Sequence, residues 1–115
     1  MIIRKAKAEQ IDFGGLKIAD YTASLNEKSS FAVISVPPGG SHKLSWSKRS
    51  DKYYFVIQGK IDFVLNGKEL VLSKGDLCIV KKGKKFRYKN GSTEAVIMVL
   101  VHTPDFKLDQ EVFED

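Results

Sequence analysis

Apolar and polar residues alternate in short bursts along this chain. In "KIDFVLN", Ile61, Phe63 and Leu65 fall on one face and Asp62 on the other, and in "KFRYKN" Phe86 and Tyr88 share a face in the same way. That period of two predicts half-buried strands. Further segments are rich in β-branched and aromatic residues: "SFAVISV" from residue 30, "YYFVIQ" from 53, "ELVLS" from 69, "DLCIV" from 76 and "AVIMVLVH" from 95. Turn chemistry separates them, at Gly14-Gly15, Pro37-Pro38-Gly39-Gly40, Gly59, Asn66-Gly67, Gly75-Asp76, Gly83 and Asn90-Gly91. Asn66-Gly67 is the clearest hairpin signal, because both residue types tolerate the positive φ of a type I′ turn. The pattern predicts an all-β antiparallel sandwich or barrel. No helical period competes until the tail "DFKLDQEVFED", which is open to three readings: a strand, a single helical turn or an arm facing a partner.

A length of 115 residues fits one domain, 1–115, able to bury a single core. Apolar residues at 43% and charged residues at 29% exclude a disordered chain. The net charge of +5 favours encounter with anionic partners without identifying one. Much of the excess comes from "KKGKK", residues 81–85, read as a solvated loop. Direct nucleic-acid binding is not expected, since no recognition helix or RNA-binding motif accompanies that charge. Cys78 is the single cysteine and lies in the apolar run "LCIV", so it is expected to pack rather than react. A reducing, cytoplasmic setting fits that usage. The longest apolar run, "AVIMVLV", is far shorter than the ~20 residues that span a bilayer, and no membrane association is expected.

Two glycine-framed spacings stand out. From Gly39, five residues lead to Ser45, then Trp46 and Ser47, four more lead to Lys52, and six more end on Gly59. A second frame begins at Gly75 and passes Lys81, Gly83 and Phe86 before reaching Asn90. These spacings resemble those of the cupins, the RmlC-like family, whose motifs run G-x(5)-H-x-H-x(4)-E-x(6)-G and G-x(5)-P-x-G-x(2)-H-x(3)-N. The resemblance covers about residues 30–103 and implies a double-stranded β-helix, or jelly-roll barrel, with the N-terminal strands and the C-terminal tail packed on it or on a partner. It also implies where a metal would sit, and there the side chains depart from the family. Ser45, Ser47 and Lys52 replace His, His and Glu, and Phe86 replaces the last His. Hydroxyls ligate poorly, a phenyl ring has no lone pair, and an ammonium occupies the cation's place. No metal and no other cofactor is expected.

If the strands keep the family's orientation, Ser45, Ser47, Lys52, Tyr54, Phe86 and Tyr88 point inward. Period two then adds Lys43 as a rim residue, and His102, at the end of an apolar strand, stands as a cap or at the barrel mouth. The aromatics can equally be core. His42, three residues before Ser45, falls on the opposite face unless a bulge intervenes, and is read as a loop or surface imidazole. Lys52 has three fates open to it: snorkelling to solvent, pairing with an internal acid such as Asp51 or Asp62, or holding a ligand's carboxylate or phosphate. Trp46 should face outward, and with Phe55 it suggests a covered surface, most simply in a homodimer.

Binding of a small polar or anionic ligand, such as a carbohydrate derivative, is the leading functional expectation. A homodimerisation or scaffold module is the second. Metal-free isomerase or epimerase-like turnover is the third, with Lys52, Tyr54, Tyr88 and His102 as the candidate groups but no acid and base assigned to one another.

Overall fold

The computed structural model describes residues 1–114. Eleven strands follow in chain order: β1 Glu9–Phe13, β2 Leu16–Asp20, β3 Ser30–Val36, β4 Ser41–Ser47, β5 Asp51–Gln58, β6 Lys60–Leu65, β7 Lys68–Ser73, β8 Leu77–Val80, β9 Phe86–Lys89, β10 Val96–Thr103 and β11 Glu111–Phe113. Single 3-10 turns precede β1 and β11. Six strands form one antiparallel sheet in the order β1-β2-β3-β10-β5-β8, and five form the other in the order β11-β4-β9-β6-β7. The two sheets face each other as the walls of a jelly-roll barrel.

Alternation along each strand decides what enters the core. Ala32, Ile34 and Val36 of β3, Lys52, Tyr54 and Val56 of β5, and Val96, Met98, Leu100 and His102 of β10 are buried from the first sheet. Ser45, Ser47, Ile61, Phe63, Leu72, Phe86 and Tyr88 are buried from the second. All six residues expected to point inward therefore do so. Phe63, Phe86 and Tyr88 form a triangle of nearly parallel rings with centroids 5.6 to 6.4 Å apart, and Tyr54 meets Phe63 edge-on at 5.5 Å. Each fully buried apolar side chain of this size contributes about 1.5–3 kcal/mol relative to exposure. Cys78 packs in the same cluster, with its thiol pushed up by burial.

The framing residues act on the backbone. At the β6–β7 turn Asn66 and Gly67 have φ of 52° and 84°, as a type I′ hairpin requires. Asn90, fully buried, donates from Nδ2 to the carbonyls of Val36 (3.0 Å) and Glu94 (2.7 Å), and its Oδ1 accepts from the backbone and hydroxyl of Ser92. The asparagine that ends the second motif thus ties β9 to β3 and shapes the loop into β10.

The tail adopts two of its three predicted forms, a 3-10 turn and then a strand. Arg49 fixes it, donating Nε to the Asp105 carbonyl (2.9 Å) and pairing with the Asp105 carboxylate (2.6 Å). Ser50 Oγ donates to the Pro104 carbonyl at 2.8 Å, and the Phe106 amide donates to Ser30 Oγ at 2.8 Å. β11 then pairs with β4, Glu111 opposite Ser47 and Phe113 opposite Ser45.

Trp46 and Phe55 do not form one patch. Trp46 is half-buried on the outer face of the second sheet, opposite Val112, whereas Phe55 is exposed on the outer face of the first. The two positions alternate outward from different sheets.

Candidate functional site

An apolar cavity of about 210 Å³ opens between the sheets. β1 and β2 supply Ile11, Phe13, Ile18 and Asp20, the barrel walls supply Ser30, Ala32, Ile34, His42, Lys52, Tyr54, Tyr88, Leu100 and His102, and the tail supplies Phe106, Leu108, Glu111 and Phe113. The volume lies below the ~300 Å³ at which drug-sized pockets begin, which suits a small molecule.

Three charged or titratable side chains meet at its buried wall. Lys52 Nζ contacts Glu111 Oε1 and lies 2.8 Å from His102 Nε2. The Lys52 and Glu111 side chains are 5% and 4% exposed, so the ion pair sits almost wholly outside water. Because an ammonium can only donate, His102 Nε2 accepts, and the neutral ring carries its proton on Nδ1. His102 is pushed down to about 3 by burial and then by the Lys52 charge. Burial also lowers Lys52, and the Glu111 carboxylate opposes that shift. The Lys52 ammonium is further flanked by the rings of Phe86 and Phe106, 5.7 and 5.9 Å from their centroids.

Lys52 is therefore paired with an internal acid, but with Glu111 rather than Asp51 or Asp62. Asp51 accepts from the Lys82 amide at 2.8 Å and lies 3.6 Å from Lys81, on the solvent side. Lys52 does not snorkel to solvent, since the tail that carries Glu111 closes over its end of the barrel.

The mouth is aromatic. His42 lies 5.2 Å from Tyr88 and 5.0 Å from Phe86 by ring centroid, with Phe13 at 5.7 Å and Phe113 at 6.2 Å. His42 Nδ1 donates to the Lys43 carbonyl at 2.7 Å, which leaves Nε2 as an acceptor on the neutral ring. Burial holds His42 below its ordinary value. Its place corrects the reading of a surface imidazole. The β4–β9 register shifts between His42 and Ser45, and that bulge turns His42 inward. Lys43, expected at the rim, is exposed and does not line the cavity; it lines an adjoining open groove with Arg87 and Lys89, which meets the cavity at His42 and Tyr88.

Of the other residues singled out from the sequence, Lys52, Tyr54, Tyr88 and His102 line the cavity, while Ser45, Ser47 and Phe86 are buried in the barrel wall. Ser47 Oγ is occupied by the Arg49 and Ser50 amides, at 3.1 and 2.9 Å. Ser45 Oγ, Tyr88 Oη and Glu111 Oε2 are buried without a hydrogen-bond partner. Burial raises both Tyr54 and Tyr88, keeping their hydroxyls protonated. Glu111, Phe106 and Phe113 had no motif to announce them. Among the described residues, no group of three or more His, Cys, Asp or Glu is placed to hold a metal ion.

Known proteins share this architecture. Over 99 residues the chain is 30% identical to the inner kinetochore subunit cnp3 of Schizosaccharomyces pombe, covering 84% of this chain and 15% of that protein. It is 27% identical over 77 residues to an oxalate-binding protein of Thermotoga maritima, covering 66% of this chain and 64% of that one. The chain thus spans less than two thirds of either curated relative. Among solved structures, Streptomyces PAC13, a nucleoside dehydratase, superposes in a uridine complex with a TM-score of 0.87 at 21% identity, over 99% of this chain and 90% of that one. The cupin domain model Cupin_2 matches residues 32–102, and with the two-sheet barrel and both motif frames in place, the chain belongs to the cupin family.

Proposed function

We propose that this cupin binds a small, neutral polar molecule of the nucleoside or sugar type in the cavity between its sheets, without a metal. The observation that carries this reading is the buried Tyr88 hydroxyl, left without a partner on the wall of a mostly apolar cavity. An unmet buried hydroxyl costs about 1–3 kcal/mol, which a ligand hydroxyl or carbonyl would recover. The aromatic mouth offers ring faces to a flat or sugar-like surface. Streptomyces PAC13 supports the class, since that protein is known with uridine, including variants that replace a histidine or a tyrosine, the residue types facing this cavity. His42, neutral with Nε2 free to accept, is the group suited to proton transfer should binding lead to turnover.

Calorimetric titration with uridine, cytidine and ribose tests the reading. One-to-one binding of at least one of them, weakened about tenfold in Tyr88→Phe, is expected. Folded protein that binds none of these overturns the assignment of ligand class.

A second reading concerns the outer face of the six-stranded sheet. Val33, Val99, Phe55 and Leu77 lie in one cross-strand row, and Phe31, Val101, Tyr53 and Ile79 in the next. Neither row contains a charge. Phe31, Phe55, Leu77 and Ile79 are all exposed. A second copy of this chain is the occupant that such a self-complementary apolar face favours, in an isologous dimer.

A further inference from the structure

We infer that Glu111 determines which ligands the cavity accepts: it makes the site a receptor for an uncharged group that donates a hydrogen bond, and it excludes phosphates and carboxylates. The inference rests on the reading of the cavity as a ligand site and adds its selectivity.

On its own, Lys52 would attract an anion, because a buried ammonium needs a counter-charge. Glu111 supplies that charge from the other end of the chain, and one carboxylate satisfies one ammonium. Its second oxygen, Oε2, is buried and has no partner. A carboxylate can only accept, so the group that satisfies Oε2 must be a donor, such as a sugar hydroxyl or the N–H of a base. An anion approaching the Lys52 ammonium would meet this carboxylate in a medium that screens it poorly.

The remaining lining reinforces the selection. Lys52 is the one Lys or Arg among the lining residues, whereas Asp20 and Glu111 both carry carboxylates there. His42 and His102 are held neutral, so neither adds positive charge. The chain as a whole is +5, yet its cavity presents a net negative lining. Anions drawn to the surface lysines are thus turned away from the interior.

Glu111→Gln preserves size and removes the charge, leaving Lys52 uncompensated. Wild type, Glu111→Gln, Lys52→Met and Lys52→Met/Glu111→Gln are titrated calorimetrically at low ionic strength with inorganic phosphate and separately with uridine, after circular dichroism has verified each fold. Phosphate is expected to bind Glu111→Gln at least about tenfold tighter than wild type, and to lose that gain when Lys52→Met is added. Equal phosphate affinity in wild type and Glu111→Gln, or wild-type phosphate binding abolished by Lys52→Met, overturns the inference. Should Glu111→Gln not fold, the wild-type protein decides: phosphate failing to shift its melting temperature or displace uridine supports exclusion, and displacement of uridine refutes it. Absence of uridine binding strikes at the ligand class alone, because the phosphate comparison is read independently.

Discussion

Lys52 Nζ donates to His102 Nε2 across 2.8 Å of barrel interior, joining β5 to β10 at a pair of residues that face each other in register. This contact fixes a neutral imidazole beside a cation and sets a pH dependence. His102 stays unprotonated down to about 3 in the folded chain, against 6.5 ordinarily. Between those values the unfolded chain binds a proton that the folded chain does not. The stability this group contributes is therefore complete above pH 6.5 and is lost progressively as pH falls through the window toward 3. His42, lowered for the same first reason, acts in the same sense. Urea denaturation between pH 5 and 6.5, above most carboxylate titration, should show stability falling by up to about 1.4 kcal/mol per pH unit for each such histidine. His102→Gln, which keeps an acceptor for Lys52, should flatten that slope. Parallel curves for the two proteins would remove His102 from the account.

The Lys52–Glu111 pair should behave as a unit. Lys52→Met leaves a buried carboxylate without its partner and is expected to cost about 3–5 kcal/mol, while Lys52→Met/Glu111→Leu should recover most of that loss. Chemical denaturation of both singles and the double measures the coupling. Additive losses would mean that the two side chains do not share their burial.

Period two and the glycine frames are enough to place Lys52, Tyr54, Phe86 and Tyr88 inside the barrel, because each sits at a fixed even offset within a strand that has one buried face. His42 eludes the same logic. Its orientation depends on a bulge between residues 42 and 45, and one inserted residue reverses every parity before it. Glu111 eludes it for another reason. The tail is placed by Arg49 holding Asp105 and by Ser30 holding Phe106, contacts 56 and 76 residues apart in sequence, and no local pattern encodes them. The N-terminal hairpin is signalled only by Gly14-Gly15, although its Phe13 lies 5.5 Å from Phe113 at the mouth. The walls of the site are thus local and legible, whereas its closure is long-range.

That closure can be loosened without touching the cavity. Arg49 is partly exposed and solvent screens its pair with Asp105, so Arg49→Ala should shift global stability only slightly. Locally the effect should be larger. Hydrogen exchange at the Lys48 and Glu114 amides, which bond to the Gln110 and Leu44 carbonyls at 2.8 Å, should speed up by at least about tenfold relative to core amides of β5 and β10. Unchanged exchange would show that β11 holds its place through strand pairing and Phe113 packing alone.

The apolar outer face of the six-stranded sheet makes the last prediction. Phe55 is 40% exposed and Leu77 53%, side by side on β5 and β8, with Val99 completing the row across β10. Their partners on the inner face, Tyr54 and Cys78, are buried, so substitutions at Phe55 or Leu77 change the surface without opening the core. Phe55→Glu places like charges opposite each other across a twofold axis, which disfavours self-association by both repulsion and lost apolar area. Sedimentation velocity should find wild type as a dimer at micromolar concentration and Phe55→Glu as a monomer with the same circular dichroism. A monomeric wild type across that range would assign this face to a different partner, and a dimeric Phe55→Glu would move the interface to another surface of the barrel.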